Sequence, residues 1–455
     1  MGFGLRVGAG RQTSGSQMRD NKRETEHRSG GVFYGYIIVG LALLVMAMTA
    51  GALFTFSVFF APLQEEFGWS RALTSGIFSA FMIAQGVFSI LAGRLNDRFG
   101  PRFILSLGSL LFGLGFILVS RVTAVWQIYL LYGLVIAAGA SAAPVPLMST
   151  VVRWFRARRG MMTGIVMAGV GVGTMVGPPF ASWLIQTLSW RPSFVVVGVL
   201  LLVVVFACAR FLRRDPHMMG LHPLGGEVVT GDHPQAAAAG LHFADAMRTR
   251  QAWLLAAAFV GFGFSVHTIS VHAVVYAMGL GMSPTRAATV MTAIGGLGIL
   301  GRVGIGSLAD RLGSKRLLVI LFGVLALSLL WLSTVTQPWG VFAFAFVFGF
   351  TFGGIVPLYS HIIAELFGLR AHGAILGIIG FSIGLGSAVG PVFTGYVYDV
   401  VGSYTIPFIV CGAAAAISAL LVLFVKPLPD RPPEPVPVTE DLIRRPPEPP
   451  FIPTM

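Results

Sequence analysis

The sequence predicts an all-α integral membrane protein: twelve transmembrane helices in two six-helix bundles related as a parallel repeat. Three observations carry this. First, 55% of the 455 residues are hydrophobic and 11% are charged, a balance that excludes an ordinary soluble domain. Second, apolar stretches recur that are long enough to cross a bilayer, which takes about 20 residues, and only helices satisfy their own backbone in lipid over such lengths. Third, the segment Gly93-Arg94-Leu95-Asn96-Asp97-Arg98-Phe99-Gly100-Pro101-Arg102 returns as Gly306-Ser307-Leu308-Ala309-Asp310-Arg311-Leu312-Gly313-Ser314-Lys315, an offset of 213. The same offset takes Gly68, Ser70, Pro144 and Gly160 to Gly281, Ser283, Pro357 and Gly373. It also takes Gly164, Gly171, Gly173, Gly177 and Pro178 to Gly377, Gly384, Gly386, Gly390 and Pro391. An ungapped repeat of this length means two copies of one membrane unit in the same orientation, the architecture of alternating-access transporters.

In chain order, residues 1–33 are a polar, basic tail without the apolar core of a signal peptide, and Met18 opens a shorter version of it. The first bundle, 34–212, holds apolar stretches at 34–59, 72–92, 103–120, 126–150, 160–186 and 194–212. Residues 213–251 form a linker between the repeats. The second bundle, 252–426, holds stretches at 252–278, 286–307, 317–335, 338–363, 373–398 and 404–426. Residues 427–455 carry eleven prolines, the composition of an extended, disordered tail with no core of its own.

The fifth and eleventh helices are rich in glycine at four-residue spacing: Gly169, Gly173 and Gly177 in one, Gly380 and Gly384, then Gly386 and Gly390, in the other. That spacing clears one face for close helix approach. Pro178 and Pro391 then interrupt backbone hydrogen bonding. Gly173, Gly177, Pro178, Gly386, Gly390 and Pro391 are therefore candidate hinge positions for rocking of the bundles, with static packing as the alternative.

The net charge of +13 is unevenly placed. With the termini and even-numbered loops on one side, that side holds 26 of the 31 Lys and Arg residues; Arg71, Arg121, Arg191 and Arg286 lie on the other, and Arg302 lies inside a helix. This asymmetry puts both termini in the cytoplasm. The expected partner is the lipid bilayer rather than nucleic acid. Cys208 and Cys411 lie in apolar helices and cannot form a disulfide framework. His217, His222 and His233 sit in the linker without metal-ligand company, so neither a metal nor another cofactor is expected. No phosphate-cradling Gly-x-x-x-x-Gly-Lys-Ser/Thr loop is present. Paired carboxylates and nucleophile–base sets are also missing from the helices, so the chain does not read as an enzyme.

With these residues in view, the chain resembles the major facilitator superfamily over residues 34–426. The two Gly-x-Leu-x-Asp-Arg-x-Gly segments look like its loop signature after helices 2 and 8. Within it the chain is similar to the bacterial monocarboxylate porters, relatives of the oxalate/formate antiporters. The supporting stretches are Phe67-Gly68-Trp69-Ser70-Arg71, Arg153-Trp154-Phe155 with Arg158-Arg159-Gly160, and Asp215-Pro216 with Gly220-Leu221 and Pro223. Val271-His272, Gly301-Arg302 and Ala364-Glu365-Leu366-Phe367-Gly368 complete the set. The resemblance implies that Gly93, Asp97, Arg98, Gly100, Asp310, Arg311 and Glu365 gate the cytoplasmic side. Asp97 and Asp310 can each face an Arg or the positive end of a neighbouring helix; plain turns with solvated charges are the alternative.

Arg302 is the most consequential side chain. A charge at the bilayer centre costs roughly 2.5–3.5 kcal/mol on insertion scales, and none of the eighteen acidic residues lies mid-helix to neutralise it. An embedded cation without a resident carboxylate is expected where the cargo supplies the anion, and a guanidinium fork suits a carboxylate. The offset position is Ser89, so the charge belongs to one repeat alone. The alternative is that Arg302, one turn from the cytoplasm, snorkels there or meets Asp310. In the porter group an Arg at this helix-8 position binds the carboxylate, which favours the first reading. His272, in the outer half of helix 7, is the candidate for proton coupling, with a structural histidine as its alternative. Tyr132 and Tyr359 could hydrogen-bond a small anion from opposite sides, or pack as ordinary aromatics.

Two departures from relatives matter. Some eukaryotic relatives carry an aspartate one turn before the helix-8 Arg, where this chain has Gly298, and oxalate exchangers carry a second cation in helix 11 that this chain lacks. The first leaves proton coupling open; the second points away from a dicarboxylate. The expectation is a secondary transporter of a small organic anion, a monocarboxylate first, working as a monomer in a bacterial inner membrane, with or without protons as co-substrate. The rivals are a multidrug or metabolite exporter of the same fold and a transporter-like membrane sensor.

Overall fold

The computed structural model describes residues 33–155, 159–224, 240–368 and 371–426, apart from the side chains of a few of them, Asp97 and Asp310 included. The expected proline-rich tail and most of the N-terminal tail lie outside the described residues. Among the described residues, twelve helices are long and apolar enough to span a bilayer. They are α1 Tyr34–Phe67, α2 Arg71–Asn96, α3 Arg98–Val119, α4 Val125–Trp154, α5 Met161–Leu188 and α6 Trp190–Phe211 in the first bundle. The second holds α7 Arg250–Gly279, α8 Pro284–Ile305, α9 Ser314–Leu332, α10 Pro338–Phe367, α11 His372–Val401 and α12 Thr405–Leu423. Each overlaps one expected apolar stretch. Several run past it, because amphipathic ends such as Gln64 to Phe67 and Ser149 to Trp154 stay helical.

The 213-residue repeat is visible in the packing. Within the first bundle α1 lies on α5, α2 on α4 and α3 on α6; within the second, α7 lies on α11, α8 on α10 and α9 on α12. Between bundles, α2 meets α11 and α5 meets α8, again offset partners. We call the face carrying the termini the tail side and the opposite face the outer side.

Local sequence sets the joints. Gly100, near the start of α3, and Gly313, between α8 and α9, occupy equivalent positions in the repeat, both at φ +80°, a region a side chain would strain. Pro101 then opens the regular run of α3 beyond the Gly100 kink, where its missing N–H costs nothing. α1 is dislocated at Thr55, where the hydroxyls of Thr55 and Ser57 donate back to the carbonyls of Ala52 (2.6 Å) and Phe54 (2.8 Å). α4 widens into a π turn over Leu131–Ile136. The linker docks on both bundles: the Leu224 N–H donates to Trp154 O (3.1 Å) and that of Leu241 to Phe367 O (2.9 Å).

The glycine stripes separate into two kinds. A Cβ on Gly177 would lie 2.6 Å from Gly51 O, and one on Gly386 would meet Phe264 N at 2.6 Å. The candidate hinge glycines Gly173, Gly177, Gly386 and Gly390 therefore sit at backbone-to-backbone contacts inside the bundles, α1 against α5 and α7 against α11. Gly171 instead faces Gly295 O at 3.0 Å across the α5–α8 seam, and Gly395 faces Arg71 on α2. Gly373, Gly377, Gly380 and Gly384 on the tail half of α11 have nothing within 4 Å of where a Cβ would stand. The α2–α11 contact is thus tight at the outer end, where Gly395 meets Arg71 and Ser75, while the tail-half glycines of α11 have open space beside them.

Candidate functional site

α8 enters at the outer side and runs towards the tail side, and helical Cα–Cβ bonds tilt towards the N-terminus. A long side chain on its tail-side third is therefore aimed back into the membrane. Arg302 follows that rule. Its Nη1 would lie 3.2 Å from a Cβ built on Gly298, one turn deeper. Its Cζ lies 5.3 Å from the ring centroid of Phe352 on α10. The guanidinium thus uses room that Gly298 leaves, above an aromatic face, and does not snorkel to the tail-side surface. Gly298 also stands 3.4 Å from Gly349 O by the same measure, so α8 and α10 approach closely around the root of the arginine.

Nη1 is buried without a hydrogen-bond partner among the described residues. The ion pairs among those residues are Arg153 with Asp215, Arg191 with Glu66, and Arg214 with Asp215; none involves Arg302. Phe352 stacks on Phe262 of α7 at 6.3 Å, and Tyr359 packs on Phe259 of α7 at 5.8 Å. Phe352 and Tyr359 are seven residues apart on α10, so they share a face about 10 Å apart. Both are half-buried.

Tyr132 sits elsewhere, inside the first bundle. Its ring lies 5.0, 5.6 and 6.0 Å from those of Phe56, Phe81 and Phe116, and its buried hydroxyl has no partner among the described residues. It makes no contact with Arg302 in this arrangement. His272 is fully buried in the outer half of α7. Its Nδ1 is 3.1 Å from the Tyr404 hydroxyl, and its Nε2 is 3.0 Å from Pro391 O and 3.3 Å from Ser75 Oγ. With Nε2 protonated, the imidazole donates to Pro391 O and accepts from Tyr404, a neutral ring with both nitrogens satisfied. His267, half-buried five residues earlier on α7, has its Nδ1 2.7 Å from Ser387 Oγ.

Of the loop-signature residues, Arg98 and Arg311 are exposed, and a Cβ on Gly93 would stand 3.8 Å from Val145 on α4. The side chains of Asp97 and Asp310 lie outside the described set. Glu365 accepts from Ser314 Oγ (2.6 Å), capping the start of α9 within its own bundle. The structure therefore brings Arg302 and Phe352 together, sets Tyr359 two turns further along the same face of α10, and leaves Tyr132 and His272 in separate buried settings.

Sequence reasoning missed the outer seam. Asp399, at the outer end of α11, accepts from the backbone N–H groups of Arg71 (2.9 Å) and Ala72 (2.8 Å) at the start of α2. The Arg71 guanidinium lies 3.7 Å from the Tyr398 ring centroid and donates to the Tyr404 hydroxyl. Across the other seam, Gln186 of α5 donates to Thr285 of α8. The signal was available in the repeat, since the 213 offset pairs Gln186 with Asp399 and Ala72 with Thr285.

Comparison with known proteins agrees with this architecture. Solved structures with the same fold include a bacterial homologue of the human lysosomal transporter Spinster in its inward-facing, unoccupied conformation. It has a TM-score of 0.65 at 16% identity, covering 87% of this chain and 95% of that one. Among curated relatives, monocarboxylate transporter 13 of Bos taurus is 30% identical over 382 residues, covering 84% of this chain and 86% of its own length. Monocarboxylate transporter 12 of Mus musculus is 29% identical over 419 residues, 86% of this chain and 85% of its own. The uncharacterized MFS-type transporter YhjX of Escherichia coli (strain K12) is 25% identical over 354 residues, 76% of this chain and 84% of its own. The model of the Major Facilitator Superfamily matches residues 42–358 and 305–453, and with twelve spanning helices in two repeated bundles the chain belongs to that superfamily of transporters.

Proposed function

We propose that this transporter moves a small organic anion, a monocarboxylate, across a bacterial inner membrane by alternating access, with both termini in the cytoplasm. The observation that carries the reading is Arg302: a guanidinium turned into the membrane, with a buried Nη1 that no described group satisfies. A buried charge without a partner is costly, and a carboxylate cargo supplies both the counter-charge and two acceptor oxygens for the fork. One guanidinium balances one negative charge. The relatives named monocarboxylate transporters support the same class. Phe352 and Tyr359 would border the bound anion on α10. Tyr132 would join it from the first bundle only after that bundle rearranges.

For proton coupling His272 is the imidazole that the sequence nominates. To take up a proton on Nδ1 it would have to give up the bond it accepts from Tyr404. The experiment is uptake of labelled short-chain monocarboxylates by the purified full-length protein in proteoliposomes, with and without an imposed pH gradient. Saturable uptake, competed by monocarboxylates but not by dicarboxylates or lipophilic cations, is the expected result. Acceleration by an inward proton gradient would add protons as co-substrate. Absence of saturable monocarboxylate uptake, or equal competition by cations, would refute the reading.

A further inference from the structure

The start of α2 has an unusual set of partners. The first N–H groups of any helix lack intrahelical acceptors. Here the N-cap Ser70 takes the third, Leu73, through its own Oγ at 3.1 Å. The first two, Arg71 and Ala72, are both taken by the carboxylate of Asp399, which belongs to the other bundle. Two charge-assisted hydrogen bonds to the positive end of a helix therefore span the bundle boundary. The Arg71 guanidinium closes over the same place, on the Tyr398 ring and the Tyr404 hydroxyl. A Cβ on Gly395, one turn before Asp399 on α11, would lie 2.6 Å from Ser75 Oγ of α2. Nothing but glycine leaves α11 this near.

The pseudo-symmetric seam is built from the same positions with weaker chemistry. The offset partners of Arg71, Ala72 and Asp399 are Pro284, Thr285 and Gln186. Ser283 caps α8 as Ser70 caps α2, accepting from Arg286 at 3.4 Å. Pro284 has no N–H to offer, so a carboxylate opposite would find one donor fewer. A neutral amide stands there instead and meets the Thr285 hydroxyl. One outer seam is thus held by a charge on two backbone donors, the other by neutral bonds, Gln186 to Thr285 and, deeper along α8, the Thr292 hydroxyl to Met175 O (2.8 Å).

We propose that Asp399 is the outer latch of the transport cycle: its carboxylate, seated on the N-terminus of α2, sets the balance between the outer-closed arrangement seen here and an outer-open one. Opening the outer side must separate α2 from α11, and it breaks both carboxylate bonds at once. The bonds described across the α5–α8 seam carry no charge. This goes beyond the anion-transport reading and does not rest on it, because the latch contains none of the residues placed around the cargo.

The test reads the outer gap directly, without substrate. Spin labels on Thr123→Cys and Thr336→Cys, both exposed in outer loops of different bundles, report their separation in the full-length protein in lipid; Cys208 and Cys411 are buried and are left in place. The unaltered latch should give mainly the short distance. Asp399→Ala should raise the ratio of long to short distances roughly five- to thirty-fold, the effect of losing interactions of this class. Gln186→Ala should raise it less. Arg71→Pro, which gives α2 the Ser-Pro start that α8 already has, removes one of the two donors without touching Asp399 and should also shift the ratio upward. It keeps the test decisive should Asp399→Ala not fold. An Asp399→Ala protein with a native melting profile and an unchanged distance distribution would overturn the proposal. So would a shift with Arg71→Pro but none with Asp399→Ala, since the arginine side chain alone would then hold the gate.

Discussion

Replacing Arg302 by alanine removes the group on which the anion reading stands, and the size of the loss follows from the geometry. The guanidinium lies against Phe352 with its Cζ 5.3 Å from the ring centroid, and Nη1 is directed towards Gly298 without a partner among the described residues. A bound carboxylate can accept two bonds from the fork, each worth about 1.5–3 kcal/mol because a charged group is involved. Their sum, about 3–6 kcal/mol, corresponds to a roughly 10²- to 10⁴-fold weaker apparent affinity for the cargo. Arg302→Lys keeps the charge but loses the fork and its planar seat on the ring, so one bond's worth, about 10- to 100-fold, is expected. The assay is concentration-dependent monocarboxylate uptake in proteoliposomes, beside substrate-induced thermal stabilisation of the purified protein, so that binding and flux are read separately. Alanine should also leave the empty protein as stable as before or more so, since an uncompensated buried charge is gone. An alanine variant whose half-saturation stays within about three-fold of the native protein would refute the reasoning.

Three other outcomes follow from single contacts. Gly298→Asp places a carboxylate root 3.2 Å from Arg302 Nη1. It should occupy the guanidinium in place of cargo and weaken uptake about 10- to 100-fold, the loss of one charge-assisted bond; Gly298→Ala, the steric control, should weaken it less, and native affinity in Gly298→Asp would contradict the geometry. Gly177→Leu drives a side chain into Gly51 O, 2.6 Å from the Cβ position, and should destabilise the first bundle by about 1–3 kcal/mol; an unchanged melting temperature in detergent would show that α1 and α5 are not in close contact. Tyr132→Phe deletes a buried hydroxyl without a partner among the described residues and should leave stability equal or raise it by up to about 1 kcal/mol; a clear drop in thermal stability would reveal a partner that this arrangement does not contain.

The helices were legible because each is a long apolar run, and the bundles because the repeat keeps register over the loop signatures. Gly100 and Gly313 show how far this reaches: two glycines 213 positions apart adopt the same positive φ. Helix ends were less legible. α1 continues to Phe67 through Gln64, Glu65 and Glu66, residues that no apolar window includes. The π turn of α4 and the dislocation at Thr55 leave no periodic trace, since one displaced backbone bond does not alter the hydrophobic pattern. At the site, composition singled out Arg302, but its direction required α8 to be oriented and Gly298 to be recognised as space. His272 is the sharper lesson. In sequence it is a titratable group in an apolar helix; in the fold its nitrogens meet Tyr404 and Pro391, residues 132 and 119 positions away. Such partners belong to tertiary packing, which no local pattern encodes. The Asp399 contact, 328 positions from Arg71, was hidden for the same reason, although the offset arithmetic contained its counterpart.

Arg302, the Gly298 recess and the Phe352 face all belong to the second repeat, while Ser89 stands where the first repeat would have carried the charge. An anion held there has its berth fixed to one moving half of the machine. On that reading the other half would face it only as a wall. If Arg302 anchors the cargo, anchoring would belong to one gene segment and changes in the other could retune which carboxylate fits; hybrids that exchange first halves between relatives would then inherit the requirement for a negative charge from the parent of the second half.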